Sequence, residues 1–195
     1  MKKLALWTII FSMMIVLAIA QTINLGEINI LSTGDSGNGN LLLAQKASLG
    51  QTSTIQSISF YVINPSGKLR LGIYDASGPN GIPGLKKAET NEITPVAGWN
   101  TANVTIQTLL DAGIYWLAYL PSSNSLSFRV DNTSGTSRYY SYSYNIMPST
   151  FSSSPNVCNC HWSLYATLNP VSPPPPIPPP ATNIPAPSNT EISKI

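Results

Sequence analysis

The chain predicts an all-β fold: two antiparallel sheets packed face to face as a β-sandwich, or a barrel, built from about nine or ten short strands. Three observations carry that expectation. Between Thr22 and Leu168, apolar and polar residues alternate in bursts of about five to nine, the period of a half-buried strand. Gly, Pro, Asn and Ser interrupt these bursts roughly every 8 to 15 residues, as turns do. No stretch keeps the spacing of an amphipathic helix.

Taken in order, residues 1–20 read as an address. Lys2 and Lys3 precede an apolar run over 4–11 that resumes over 13–20, and Ala18-Ile19-Ala20 has the small-x-small pattern of a cleavage site. That is a secretory signal peptide, removed to leave a β-sandwich module over 21–168. A retained anchor is the alternative, because 4–20 sits at the lower length limit for a bilayer span. No later segment approaches that length, so no membrane contact is expected after cleavage.

Residues 34–40, rich in Gly and Asn, read as a loop. Ile58, Phe60 and Val62 alternate with Ser57, Ser59 and Tyr61. Asn64-Pro65-Ser66-Gly67 then turns the chain, and Leu69, Leu71 and Ile73 alternate with Arg70, Gly72 and Tyr74. Period and turn chemistry together predict a hairpin. Further strands are expected over 104–107, 113–120, 125–131 and 161–168. In the last two, Leu126, Phe128 and Val130, and then Trp162, Leu164, Ala166 and Leu168, share one face. A domain of this length buries enough surface to fold without a metal, and no cofactor is expected. Residues 169–195 change character: from Pro170 to Pro187 there are 10 prolines in 18 residues. Such a run suits a polyproline II spacer of about 56 Å, a proline-rich linker or tail.

The chain has 10 Lys and Arg against 8 Asp and Glu, and loss of Lys2 and Lys3 leaves eight of each. A neutral, weakly charged chain has no electrostatic footprint for nucleic acid or acidic lipid. Enzyme signatures are present in letters alone. Gly34-Asp35-Ser36-Gly37 matches the nucleophile tetrapeptide of trypsin-like proteases, yet the single histidine, His161, comes after the serine rather than before it. The GDS esterases place an aspartate three residues before their histidine, where this chain has Cys158, and their alternating helices are missing. Eight scattered acids show no pairing of the kind glycoside hydrolysis needs. The expectation is therefore no catalytic residue.

Cys158-Asn159-Cys160-His161 is the one chemical cluster. Export favours a disulfide between Cys158 and Cys160. In a straight strand their Cα atoms would lie about 6.6 Å apart, near the upper limit for a bridge, so the bond requires a bend. Free or intermolecular thiols, or a zinc or copper site completed by the imidazole, are the alternatives; no fourth ligand is visible.

The outward positions are aromatic. If Leu69, Leu71 and Ile73 point inward, Arg70 and Tyr74 point out. If Trp116, Ala118 and Leu120 point inward, Tyr115 and Tyr119 point out, and Tyr165 opposes Trp162 and Leu164. Residues 138–144 alternate Tyr and Ser, exposing Tyr140 and Tyr142. Arg70, Tyr74, Tyr115, Tyr119, Tyr140, Tyr142 and Tyr165 are thus the candidate ligand-binding residues, since a flat ring with a polar tip stacks on sugar C–H groups. Tyrosine is also simply a good strand former. Trp99, in Gly98-Trp99-Asn100, is either a platform or a plug at one end of the core. Asn103-Val104-Thr105 and Asn132-Thr133-Ser134 fit the glycosylation acceptor pattern.

Leu69-Arg70-Leu71-Gly72-Ile73-Tyr74-Asp75, Gly98-Trp99-Asn100-Thr101 and Ala112-Gly113-Ile114-Tyr115-Trp116-Leu117-Ala118, in this order, resemble a poorly characterised group of exported microbial β-sandwich modules with jelly-roll, carbohydrate-binding-like character. The resemblance spans most of 22–168. It implies a jelly-roll-like sandwich beside other domains of an extracellular or surface protein, and it carries over no ligand residues. The expectation is a secreted or cell-surface, non-catalytic module that binds a polysaccharide or cell-surface glycan through an aromatic sheet face. The alternative is a structural or adhesive module that packs against an envelope protein; a hydrolase ranks third.

Overall fold

The computed structural model describes residues 21–171. The expected signal peptide, and the expected proline-rich linker from residue 172 onward, lie outside the described residues. In chain order the strands are β1 (Ile23–Gly26), β2 (Thr33–Ser36), β3 (Leu41–Leu49), β4 (Ser53–Asn64), β5 (Leu69–Asp75), β6 (Lys86–Glu89) and β7 (Gly98–Asn103). They continue with β8 (Leu109–Leu110), β9 (Gly113–Pro121), β10 (Ser127–Asp131), β11 (Ser137–Ser141), β12 (Asn156–Cys158), β13 (His161–Trp162) and β14 (Leu164–Pro170). They form two antiparallel sheets, one of eight strands and one of six, so the fold is a two-sheet β-sandwich. In the larger sheet the order is β1-β14-β4-β10-β13, with β7 and β8 also on β4 and β2 also on β10. In the smaller it is β12-β11-β3-β9-β5-β6. Among the described residues no helix is long and apolar enough to cross a membrane.

The alternation read from the sequence fills the space between the sheets. Ile58, Phe60, Val62, Leu69, Leu71, Ile73, Leu126, Phe128, Val130, Trp162, Leu164, Ala166 and Leu168 are all buried in one cluster. Phe60 stacks on Tyr119 across the seam with ring centroids 4.6 Å apart, and Tyr119 meets Trp162 edge-on at 5.0 Å. One polar side chain crosses this core with both its amide nitrogen and its amide oxygen bonded. Gln45 of β3 donates to the Leu164 carbonyl (3.0 Å) and accepts from the Trp162 N–H (2.6 Å), so it clips the sheets together.

Several expectations need correction. Residues 64–67 do turn the chain, but β4 and β5 belong to different sheets, so the pair is a crossover and not a hairpin. The connector is held by residues 122–123 instead of by its own strands. Lys68 N–H donates to Ser122 Oγ (2.7 Å), and Ser66 Oγ lies 2.8 Å from Ser123 Oγ. Gly67 sits there at φ +65°, where a Cβ would come within 2.5 Å of Ser122 Oγ, so only glycine fits. The loop expected over 34–40 starts as the edge strand β2, and the strand expected over 104–107 lies earlier, as β7. Strand β14 runs two residues past Leu168, to Pro170, which pairs with Ser53.

Candidate functional site

The aromatic residues fall into three environments. On the outer face of the six-stranded sheet, residues 142–151 fold back as a roof. Tyr74 and Trp116 are buried with Leu42, Ala44, Leu120, Met147 and Phe151, and Tyr140, Tyr142 and Tyr144 pack at the margin. Tyr74 O–H donates to the Pro148 carbonyl (2.9 Å), and Tyr142 O–H donates to the Ile146 carbonyl (2.9 Å). Phe151 meets Tyr74 and Tyr140 edge-on at 5.2 and 4.9 Å. Gly72 leaves room for the roof, since a Cβ there would lie 2.6 Å from Met147 Sδ.

Arg70 belongs to the same construction. It lies 3.5 Å from Glu89, whose other oxygen takes a 2.7 Å ion pair from Lys86. Glu89 also accepts the Met147 N–H (2.9 Å), and Lys86 donates to the Met147 carbonyl, so one nearly buried carboxylate anchors the roof. The Arg70 guanidinium lies 6.0 Å from the Tyr144 ring centroid. Tyr74, expected to face a ligand, is therefore wholly covered. Burial pushes its phenol well above the ordinary range, and pushes Tyr140 up to about 12.

Tyr115 and Tyr119 also need correction, for a different reason. Strand β9 is buried on both faces, and its phase is the reverse of the expected one. Tyr115, Leu117 and Tyr119 enter the inter-sheet core, while Trp116, Ala118 and Leu120 lie under the roof. Tyr115 donates to the Asp111 carbonyl (3.0 Å), and the Tyr119 hydroxyl accepts from the Asn38 amide (2.8 Å). Neither ring is presented to a ligand.

Tyr165 is the candidate that remains on a face without a roof, the outer face of the eight-stranded sheet, and there it has company. Trp99 of β7 is paired directly with Tyr61 of β4. Its ring stands edge-to-face to both Tyr61 (5.4 Å) and Tyr165 (5.0 Å), so it leans across β4 toward β14. The small Ser59 makes this possible; it lies in the outward phase, yet is fully covered. All three rings are half-buried. Trp99 is aimed by its local turn. Gly98 takes φ +97°, and Asn100 accepts the Val96 N–H (2.8 Å) while donating to the Val96 and Gly98 carbonyls. Trp99 thus stands on the outer face of the sheet, outside the inter-sheet core, and does not plug an end of that core as one of its two readings has it.

Polar groups flank the trio. Ser59 and Thr101 hydroxyls lie 2.8 Å apart, and Thr167 donates to Asn24 (3.2 Å). On the other side, the loop after β1 is tied to Ser163, whose hydroxyl donates to the Asn29 carbonyl (2.9 Å) and accepts the Leu31 N–H (3.0 Å). Ile28 and Ile30 in that loop are 52% and 53% exposed. Sequence reasoning left Tyr61 out although its phase was legible: it alternates with Ile58, Phe60 and Val62.

The remaining chemical groups are also placed. Cys158 and Cys160 are joined in a disulfide with Cα atoms 5.3 Å apart; β12 ends at Cys158, where the chain bends. The bond takes both thiolates that a metal would have needed. His161 Nδ1 lies 2.9 Å from the Ser134 carbonyl and Nε2 3.6 Å from Glu27, beside a polar hollow of about 450 Å³ that Lys46 also lines. Ser36 is remote from that imidazole. It pairs with Ser127 and His161 with Asp131, four residues apart along β10, which is about 13 Å at the strand rise. That distance rules out a serine–histidine pair. Among the described residues no three His, Cys, Asp or Glu side chains converge as a metal site would require.

No family model matches the chain, and no curated protein is detectably similar to it in sequence.

Proposed function

We propose that the protein is an exported, non-catalytic binding module that holds a glycan or other surface polymer on the outer face of its eight-stranded sheet. The observation that carries this reading is the trio Tyr61, Trp99 and Tyr165. Three half-buried rings, with Trp99 touching the other two, lie on a sheet face without a roof, next to the hydroxyl and amide groups of Thr101, Thr167 and Asn24. Rings supply stacking area for sugar C–H groups, and short polar side chains supply exchangeable hydrogen bonds at low entropic cost. Export is supported by the signal-peptide pattern of residues 1–20 and by the Cys158–Cys160 disulfide, a bond that persists in oxidising compartments.

Affinity electrophoresis against insoluble polysaccharides, together with a glycan array, tests it. The mature chain is retarded by at least one polymer, and Trp99→Ala or Tyr165→Ala weakens that retention by at least about tenfold, as loss of an aromatic anchor does. Folded wild-type protein that no polymer or glycan retains would refute the reading.

A further inference from the structure

Between β2 and β11 the sandwich opens sideways into a cleft of about 320 Å³. Its lining departs from the pattern that seals the rest of the seam. Asp35 is the ladder partner of the core residue Phe128, and Tyr139 that of Leu43, so both occupy inner-face positions, and Asp35 puts a carboxylate where the core positions beside it are apolar or aromatic. Asp35, Leu43, Tyr139, the Cys158–Cys160 disulfide and Trp162 line the space together. Asp35 is itself exposed at this cleft and accepts the Ser36 N–H (2.7 Å) on one carboxylate oxygen, and a carboxylate has acceptor capacity beyond that one bond.

Trp162 adds an independent observation. It is 2% exposed, and its indole N–H has no hydrogen-bond partner among the described residues. The equally buried Trp116 donates to the Gly81 carbonyl at 3.1 Å. Arg70 and Arg129 each have an unmet Nε as well, but their terminal nitrogens are engaged with Glu89 and the Ser32 carbonyl. For Trp162 the indole N–H is the whole polar inventory, and a buried donor left unmet is costly.

We infer that this cleft is a second binding site, which takes one small, neutral, polyhydroxylated ring the size of a single sugar residue. An apolar ring face rests on Leu43, Tyr139 and the disulfide, an oxygen accepts from Trp162 Nε1–H, and a hydroxyl donates to Asp35. A volume near the low end for ligand pockets, with apolar walls and a few convergent polar groups, suits such a molecule. The site lies inside the seam, away from the outer-face trio, and does not depend on it.

The test follows the indole N–H resonances of Trp99, Trp116 and Trp162 in ¹H–¹⁵N spectra of the mature chain. Glucose, galactose, mannose, N-acetylglucosamine and choline are added in turn. The expected result is a saturable shift of Trp162 at millimolar concentration of at least one sugar. Trp116 stays in place as a folding control, and Asp35→Asn weakens the shift about tenfold, as loss of a charged hydrogen-bond partner does. The proposal is overturned if no sugar moves Trp162, if only choline does, or if Asp35→Asn and Asp35→Ala leave the titration unchanged. A shift confined to Trp99 also overturns it while supporting the outer-face reading. Trp162 binding without polymer retention does the reverse.

Discussion

On the six-stranded sheet, Tyr74 and Trp116 lie buried beneath residues 142–151, whereas on the eight-stranded sheet Tyr61, Trp99 and Tyr165 stay half-buried beside a row of hydroxyls. Both sets occupy the outward phase of their strands. The difference lies in what the chain does elsewhere. A ten-residue excursion after β11 is anchored by Glu89 and covers one face, while the loop after β1 only borders the other. Outward phase therefore does not imply exposure. A strand with apolar residues in both phases has two covered faces, and the second cover can be a loop rather than a sheet.

The sharpest way to break this comparison is to truncate one tryptophan on each face. Trp116→Ala removes a ring 2% exposed and 5.6 Å from the Arg138 guanidinium, and opens the space between roof and sheet. It is expected to cost about 3–5 kcal/mol in urea denaturation. Trp99→Ala removes a half-buried ring and is expected to cost about 1 kcal/mol. Equal losses would show that the outer-face trio is a second core, and would take away its claim to be a platform.

A smaller effect is expected at the anchor. Glu89→Gln leaves Lys86 and Arg70 facing each other without their carboxylate, near the surface end of the roof. The expected cost is about 2 kcal/mol, below the value for a fully buried pair because both cations are partly hydrated. Hydrogen exchange should report it first at Met147, whose N–H bonds to Glu89 (2.9 Å). Unchanged protection at Met147 would show that the roof is held by its aromatic contacts alone.

What could be read from the sequence follows the same division. The runs 58–62, 69–73, 126–130 and 162–168 have one apolar and one polar phase, and each landed on the core face. Residues 115–120 of β9 are apolar in both phases, so alternation gave no purchase and the inward set was inverted. The turn at 64–67 has the chemistry of any reversal; whether it returns to the same sheet depends on residues 122–123, which are distant in sequence. For the candidate site the limit was cover. Arg70 and Tyr74 were placed on the correct face, but their partners lie at Glu89 and at 142–151, and no local pattern announces a fold-back. Tyr61 was the legible residue that went unused.

The mildest probe is pH. Burial holds the Tyr140 phenol up to about 12 against an ordinary 10.0, and burial likewise raises Tyr74 beneath the roof and Tyr144 within it. Each stays protonated in the folded state at a pH where the unfolded chain has begun to lose that proton. The unfolded state then binds fewer protons, so stability is complete below 10.0 and falls as pH rises through about 12. Urea midpoints measured across this window are expected to decline. The decline should be shallower in Tyr74→Phe, which removes one raised phenol but keeps the ring against Phe151. In Trp99→Ala, a change remote from the roof, it should match the wild type. A slope indifferent to Tyr74→Phe would mean that the roof opens before its tyrosines ionise, and that the two outer faces differ less in solution than their burial implies.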